Sequence, residues 1–267
     1  MQLHLLRWLF ILLAAPIALP ILQAHAQSDK KTGWSHQVEL PDGEEPIELF
    51  NGKDLTGWTG FEKYFSVVDG MIRARNDEPV KMSTFLFTDQ AFRNYRLLLE
   101  VKQTMGVGFS TMHSAVASGG KHVKNWGGEY GFEGPILMFC HDWGIWGADG
   151  RKRVFPADQK GPMADVPWEN KGKWNQLEIL VLGDRIRMVS NGQLMVDHTE
   201  EKGLLKKCAL GLQMHNEKRT QEFFFRGLVA VDNPSDVMLT QKSSALSTDA
   251  KGSGTKEVDD NKTQTLP

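Results

Sequence analysis

The chain has 267 residues, with 31 basic and 33 acidic side chains and a formal net charge of −2. A chain with this balance has no excess of basic side chains with which to bind duplex DNA or an anionic membrane surface, so we expect no nucleic-acid partner. The two cysteines, Cys140 and Cys208, have no spacing typical of a disulfide framework, and both a disulfide and two buried thiols remain open.

The first 26 residues have the pattern of a secretory signal peptide. Arg7 supplies the positive charge, residues 8–22 are apolar, and a small-x-small cleavage site ends at Ala26. Pro16 and Pro20 interrupt the apolar run, which is shorter than the ~20 residues that a membrane-spanning helix needs. We therefore expect cleavage near Ala26, no stable membrane insertion, and a mature protein in the periplasm or outside the cell.

Composition divides the remaining chain into three parts. Residues 27–46 are polar and are expected to form an extended lead-in with few packing residues. Residues 47–240 carry the apolar side chains of one domain. Residues 241–267 contain almost no large apolar side chains, so burial cannot offset the entropy of ordering them, and we predict a disordered tail.

Alternation of apolar and polar residues predicts antiparallel β-structure in the domain. Residues 176–182 and 185–189 alternate with a period of two, and Gly183-Asp184 lies between them. Asn191-Gly192 follows and favours a type I′ hairpin turn. No helical stripe longer than a turn or two follows the leader, so two packed antiparallel sheets are the natural way to bury these faces.

The same alternation selects three polar candidates for a binding surface. In residues 209–215, Gln213 and His215 face away from the apolar set, and in residues 97–102 Glu100 does the same. If the apolar faces enter the core between the sheets, these three side chains emerge on an outer surface, where they can meet a ligand. The alternative is that they are ordinary solvated strand residues.

Residues 126–156 are rich in side chains that are typical of carbohydrate sites. Glycines permit close approach of the backbone to a ligand, and indole rings such as Trp143 and Trp146 offer flat faces for sugar stacking. Carboxylates, including Glu133, and cations, including Arg153, lie in the same stretch. Ordinary core packing is the alternative for each tryptophan.

The pair His141-Asp142 is a candidate base held by a carboxylate, provided that a turn brings the two side chains together. A loop histidine without a catalytic role is the alternative. His113 and His122 add nitrogen ligands, so a divalent metal ion held by histidine and carboxylate is a second hypothesis, although no His-x-x-x-His spacing supports it.

Several segments resemble the 3-keto-disaccharide hydrolase family. The most specific one is Phe50-Asn51-Gly52-Lys53-Asp54-Leu55-Thr56-Gly57-Trp58, and it matches the opening of that family. Further matches follow in the family's order: Val67-Val68-Asp69-Gly70-Met71-Ile72, Tyr95-Arg96-Leu97-Leu98-Leu99-Glu100-Val101, Lys173-Trp174-Asn175, Gly211-Leu212-Gln213-Met214-His215 and Phe225-Arg226-Gly227-Leu228. Residues 105–110 and 133–138 depart from the family pattern. The resemblance covers residues 47–232 and implies an all-β, concanavalin A-like jelly-roll sandwich.

The resemblance implies cleavage of glycosides whose sugar has been oxidised to a ketone at C3 by a separate sugar 3-dehydrogenase. The ketone acidifies the C2 proton, so a base can remove it, the C1 oxygen leaves by β-elimination, and added water completes a net hydrolysis. On this hypothesis His141 or His215 is the base. Glu133 or Asp142 is the acid for the leaving group or a ligand of a divalent metal.

The remaining candidates are assigned to substrate binding on the same hypothesis. Glu100, Arg153 and Gln213 are expected to contact the sugar, and Trp143 and Trp146 to stack on its ring. A lectin-like carbohydrate-binding module without catalysis is the second interpretation, because the same fold presents sugars to loops without any chemistry. A scaffold or adhesion domain is the third.

Overall fold

The computed structural model describes residues 33–109, 112–125, 128–141, 143–147, 149, 151–156 and 168–242. The predicted signal peptide, residues 243–267 of the predicted tail, and Asp142 lie outside these ranges. Within them, no helix has the length and apolar character needed to cross a membrane.

The described residues form a short 3₁₀ helix, Trp34–Gln37, and sixteen β-strands, which confirms the all-β prediction. The strands are β1 (Ile47–Glu48), β2 (Trp58–Gly60), β3 (Phe65–Val68), β4 (Met71–Arg75), β5 (Thr84–Phe92), β6 (Tyr95–Met105), β7 (Ser114–Ala117), β8 (Lys121–Asn125), β9 (Gly128–Glu133), β10 (Ile136–Phe139), β11 (Gly144–Trp146), β12 (Asn175–Leu182), β13 (Arg185–Ser190), β14 (Gln193–Thr199), β15 (Cys208–Met214) and β16 (Glu222–Asp232).

Two antiparallel sheets and one hairpin account for all of these strands. The larger sheet has the order β14-β13-β12-β6-β16-β4-β3, and β1 pairs with β16. The smaller sheet has the order β11-β10-β7-β15-β5-β2. Strands β8 and β9 form a separate hairpin. Because strands that are distant in sequence are neighbours in both sheets, most of the pairing is non-local.

The main core lies between the two sheets. Leu177 and Ile179 of the eight-stranded sheet and Leu212 and Met214 of the six-stranded sheet belong to one buried apolar cluster, as their alternation predicts. The predicted turn between β13 and β14 is also confirmed, because Asn191 and Gly192 have φ values of 49° and 90°. Both cysteines are buried and free, so the structure favours two thiols over a disulfide.

The most specific family segment forms a structural turn. The Asn51 Oδ1 accepts the backbone N–H groups of Lys53 and Asp54, at 2.7 and 3.0 Å, and the Asn51 amide donates to the Asp54 carboxylate at 2.7 Å. The hydrogen bonds that the Asp54 carboxylate accepts, first from the Asn51 amide and then from Thr56, lower the pKa of Asp54 to about 2. The indole of Trp58 then donates to the carbonyl of Leu49 at 2.6 Å. The segment therefore closes a loop and anchors a strand.

Residues 33–46 of the lead-in pack against the eight-stranded sheet more closely than the composition of the segment suggests. The backbone N–H of Trp34 donates to the carboxylate of Glu100 at 2.9 Å, and Glu44 accepts hydrogen bonds from the backbone and side chain of Ser235. Arg96, on β6, lies 3.4 Å from Glu44. Residues 33–46 are thus tied to the sheet and to the segment that follows β16.

Arg96 is the centre of a buried ionic network on the outer face of this sheet. Its guanidinium and the Glu178 carboxylate are both inaccessible to solvent, and they form a short hydrogen-bonded ion pair. The guanidinium also donates to the carbonyl of Val237 at 2.6 Å. Glu178 accepts the N–H and hydroxyl hydrogen bonds of Thr240, at 2.8 and 2.7 Å. The network fixes the last described residues against the sheet.

The hairpin β8–β9 covers part of the outer face of the six-stranded sheet. Phe132 packs with Phe85 and Phe87 in a second apolar cluster, and the His122 imidazole stacks on Phe87 at a centroid separation of 3.8 Å. Gly211 makes room for this arrangement, because a Cβ atom there would lie 2.5 Å from the Phe87 ring. The part of the face that lies towards the end of β15 carries polar side chains.

Candidate functional site

Two histidines meet where strand β7 begins and strand β15 ends: His113 comes just before β7, and His215 just after β15. These strands are paired with Gly211 opposite Ala117 and Leu212 opposite Val116. Continuing this register places His215 opposite His113, on the outer face of the sheet. Their ring centroids are 4.1 Å apart, with an interplanar angle of 48°. The antiparallel register therefore brings together two imidazoles that are about a hundred residues apart in the sequence.

Gln213 is the polar residue next to this imidazole pair. It is fully buried, at 0% relative exposure, and its backbone carbonyl accepts the Ser114 hydroxyl at 2.9 Å. Within the described part of the chain, neither its Nε2 nor its Oε1 has a hydrogen-bond partner. A buried polar group without a partner costs about 1–3 kcal/mol, so such a carboxamide requires either a water or a ligand to satisfy it.

Both imidazoles are held in the neutral form at neutral pH. Burial lowers the pKa of His215 from 6.5 to about 4, although the charge of Glu217 acts in the opposite direction. Burial also lowers the pKa of His113 well below its ordinary value, and charge on His215 and Arg153 lowers it further. A neutral imidazole has a lone pair that can accept a proton, which is the state required of a general base.

Arg153 and Trp146 extend this surface towards the sheet edge. Val154 bridges to Ile145 of β11, and the continued antiparallel register places Arg153 opposite Trp146. The Arg153 guanidinium lies 4.8 Å above the ring of Phe155, and its positive charge helps to lower the pKa of His113. Trp146 is 39% exposed. The structure thus places a cation and an accessible indole on the face that carries the imidazole pair.

An open cleft of 470 Å³ borders His215. The Glu217 carboxylate in its wall is held by the Arg219 guanidinium at 2.9 Å and by the backbone N–H groups of Lys218 and Arg219, at 2.7 and 3.1 Å. The Arg219 guanidinium also lies 4.3 Å from the centroid of the Phe109 ring. The remaining cleft residues are Pro79, Val80, Lys81, Asn216 and Lys218.

Glu100 does not share this surface, and its predicted location is wrong. It lies on β6 of the eight-stranded sheet, whereas Gln213 and His215 belong to the six-stranded sheet. The Glu100 carboxylate is buried and accepts two hydrogen bonds from the Arg226 guanidinium, at 2.8 and 3.0 Å. Glu100 therefore lies beneath the 3₁₀ helix, and its carboxylate pairs with Arg226 and not with a sugar.

Trp143 also differs from its predicted placement. It is only 3% exposed, and its indole N–H donates to the Glu169 carboxylate at 2.8 Å. Cys140 and His141 have φ values of 63° and 80°, so the strand alternation ends there, and Trp143 enters the core beside Phe139. The buried indole has no open face on which a sugar could stack, which corrects the prediction for this residue.

His141 lies in the turn after β10, and no described contact joins it to the imidazole pair. Its Nε2 accepts the backbone N–H of Gly108 at 2.7 Å, and its own backbone N–H donates to Glu169 at 3.2 Å. The Nε2 lone pair is therefore already engaged. Because Asp142 lies outside the described residues, the predicted His141-Asp142 contact stays a prediction.

Glu133 lies at the end of the hairpin, where the Lys121 amine is 3.2 Å from its carboxylate and almost half of the side chain is exposed. Its predicted role as an acid or a metal ligand is untested. Among the described residues, no group of three or more histidine, cysteine, aspartate or glutamate side chains could hold a metal ion. The metal hypothesis thus depends on residues outside the described ranges or on a smaller set of ligands.

Several solved structures of low sequence identity are similar to this chain. A Bacillus subtilis protein with a galectin-like fold is 10% identical, with a TM-score of 0.51, and the match covers 70% of this chain and 94% of that one. A candidate glycosyl hydrolase from Parabacteroides distasonis is 19% identical, with a TM-score of 0.48 and coverage of 70% and 93%. The Bacillus subtilis carbohydrate-binding module CBM66 is 14% identical, with a TM-score of 0.44 and coverage of 66% and 96%.

The likeness to the Bacillus subtilis protein with a TM-score of 0.51 shows a galectin-like sandwich fold. No curated protein matches the chain significantly. A family model does match it, over residues 45–229. That range includes strands β1 to β15 and most of β16, and it contains the imidazole pair, Gln213 and Arg153. The chain therefore belongs to the family of 3-keto-alpha-glucoside-1,2-lyase-like domains.

Proposed function

We propose that the protein is an exported, carbohydrate-active enzyme that cleaves 3-keto-glycosides at the imidazole pair. The family to which the chain belongs supports the substrate class. The observation that carries the proposal is the buried Gln213 carboxamide, unpaired in the described part of the chain, beside the neutral imidazole of His215. A separate sugar 3-dehydrogenase supplies the oxidised substrate.

The proposed reaction begins with proton transfer from C2 of the sugar to His215. The C3 ketone makes this proton acidic, because the electron pair left at C2 delocalises onto the ketone oxygen. The positive charge of Arg153 stabilises the resulting enolate. The enolate in turn stabilises the imidazolium of His215, which offsets the weakness of an imidazole whose pKa is about 4.

Collapse of the enolate completes the cleavage. The electron pair at C2 forms a double bond between C1 and C2, and the bond between C1 and the glycosidic oxygen breaks, so the aglycone leaves with the electron pair of the broken bond. Water then adds at C1 and a proton returns to C2, which gives a net hydrolysis. This route avoids the oxocarbenium-like transition state that a pair of carboxylates stabilises in most glycosidases.

Two further side chains are proposed to bind the sugar. Gln213 offers one donor and one acceptor to neighbouring sugar oxygens, and these contacts satisfy a carboxamide that otherwise has no described partner. Trp146 offers an accessible indole face on which the apolar side of a pyranose can stack. Both residues lie on the outer face of the six-stranded sheet with His215.

A carbohydrate-binding module without catalysis is the second candidate. The solvent-exposed position of Glu133 favours it, because this carboxylate was expected to act on the leaving group. In this case the same surface binds a sugar through Gln213 and Trp146 and leaves the glycosidic bond intact.

The comparison of 3-keto-glycosides with their unoxidised parents separates the two candidates. Purified protein beginning at Gln27 is expected to release the aglycone from the 3-keto compound and to leave the parent glycoside intact, since only the ketone acidifies C2. Parallel reactions with a chelator show whether turnover requires a metal ion. Binding of both glycosides without release of the aglycone would contradict the enzyme and support the module.

A further inference from the structure

Exposed apolar side chains concentrate at the end of the sandwich that carries the imidazole pair. Of seven large apolar residues that are exposed in the described part of the chain, four are Met82, Met105, Val107 and Phe109. They lie just before β5 and between the end of β6 and His113. The Ser83 hydroxyl, beside Met82, donates to the Asn216 side chain at 3.0 Å, which joins this segment to the cleft. Such a concentration of apolar surface is typical of a binding region.

Phe109 is the best positioned of these side chains. Its backbone N–H donates to the carbonyl of Gly106 at 3.2 Å, and Gly106, with φ of 83°, has no room for a side chain because a Cβ would lie 2.0 Å from the Met112 sulfur. The ring is 48% exposed and lies 4.3 Å from the Arg219 guanidinium. Because Arg219 also holds Glu217 in the wall of the cleft, Phe109 is linked through Arg219 to the cleft that borders His215.

Among the described residues that line this cleft, Glu217 is the only carboxylate, and its partners leave it unsuited to act as an acid for a leaving group. Glu217 is engaged by Arg219 and two backbone N–H groups, Glu133 lies near Lys121 on the hairpin, and Glu100 is paired on the other sheet. An alcohol oxygen of a second sugar is a poor leaving group without such an acid. A phenolic oxygen, with a pKa of about 10, leaves readily as an anion.

We propose that the aglycone is an aryl group bound through its phenolic oxygen, and that Phe109 determines this preference by stacking on the aromatic ring. This inference rests on the proposed cleavage of 3-keto-glycosides. In the elimination, the C1–O electron pair leaves with the phenolic oxygen, which takes its proton from water after departure. A phenolate needs no protonation by the protein in order to leave, and the apolar rim holds the ring.

The test compares a 3-keto phenyl glucoside with a 3-keto disaccharide. The phenyl compound is expected to have the higher kcat/KM. Phe109→Ala is expected to lower kcat/KM for the phenyl compound by about 3- to 10-fold, the value of one aromatic contact, and to change the value for the disaccharide by less than about 2-fold. Val237→Ala removes apolar surface from an exposed residue outside this end and is expected to change neither value.

Substituted phenyl compounds provide a second readout on the wild-type protein. Turnover is expected to rise as the pKa of the phenol falls. The aryl preference would be overturned if the disaccharide were cleaved faster than the phenyl compound, or if Phe109→Ala had an equal effect on both substrates. Neither result would contradict the cleavage reaction itself. Cleavage of neither 3-keto substrate would overturn the proposed function itself.

Discussion

Replacement of His215 by asparagine is expected to lower kcat/KM for a 3-keto-glycoside by about 10²–10⁴-fold, the usual contribution of a general base. His215 borders the cleft, and the Nδ1 of its neutral imidazole has no hydrogen-bond partner among the described residues. Asparagine retains polarity and a similar size but cannot accept the C2 proton. Steady-state kinetics on the variant and the wild type measure the loss, and circular dichroism shows whether the fold is intact.

The matched control is His141→Asn. Because the Nε2 of His141 already accepts the backbone N–H of Gly108, this substitution is expected to cost less than about 10-fold in kcat/KM. If His141→Asn caused the large loss of kcat/KM and His215→Asn the small one, His141 would be the base and the assignment of His215 would be wrong.

The wild-type pH profile gives an independent check on the same assignment. Because burial lowers the pKa of His215 to about 4, the imidazole is neutral above that pH and protonated below it. The value of kcat/KM is therefore expected to fall as the pH decreases through about 4, and to stay high at pH 6.5, where an exposed histidine titrates. A fall in kcat/KM as the pH decreases through about 6.5 would indicate that a different, solvent-exposed group is the base.

Removal of the buried guanidinium by Arg96→Ala is expected to lower the free energy of unfolding by about 3–5 kcal/mol. The variant leaves the Glu178 carboxylate buried without its cationic partner, and it also removes the hydrogen bond to the carbonyl of Val237. Both effects loosen the attachment of the chain segments before β1 and after β16. Urea denaturation followed by tryptophan fluorescence measures the change.

An exposed ion pair in the same sheet serves as the control. Arg185 and Asp197 are 42% and 38% exposed, and their hydrogen bonds are 2.7 and 2.6 Å long. Because solvent screens this pair, Arg185→Ala is expected to cost less than about 1 kcal/mol. Equal losses for Arg96→Ala and Arg185→Ala would mean that burial of the Arg96 network contributes nothing to stability.

Local sequence features predicted the fold well wherever neighbouring strands are joined by short turns. The Asn191-Gly192 turn and the alternation in residues 176–189 identify the meander β12–β13–β14, because hairpin pairing is determined by residues that are close in the chain. The apolar face of β15 follows from the same rule. These features, with the family resemblance, define an all-β sandwich.

The candidate site was only partly predictable, because alternation indicates on which face of its strand a side chain lies but not which of the two sheets contains that strand. Glu100 and Gln213 both point away from their apolar neighbours, but they lie on the outer faces of two different sheets. The pairing of β7 with β15, which brings His113 to His215, joins segments that are far apart in the sequence. Trp143 enters the core after two residues with positive φ, and the sequence carries no glycine at either of them.

Cleavage of a 3-keto-glycoside in D2O tests the central claim, proton removal from C2, most directly. At early times, the account predicts deuterium at C2 of the released sugar, because the proton taken by His215 exchanges with solvent before water adds at C1. The free 3-keto sugar, incubated in D2O without the protein, gives the background exchange. Release of the aglycone with the original C2 hydrogen retained would contradict elimination and indicate direct hydrolysis.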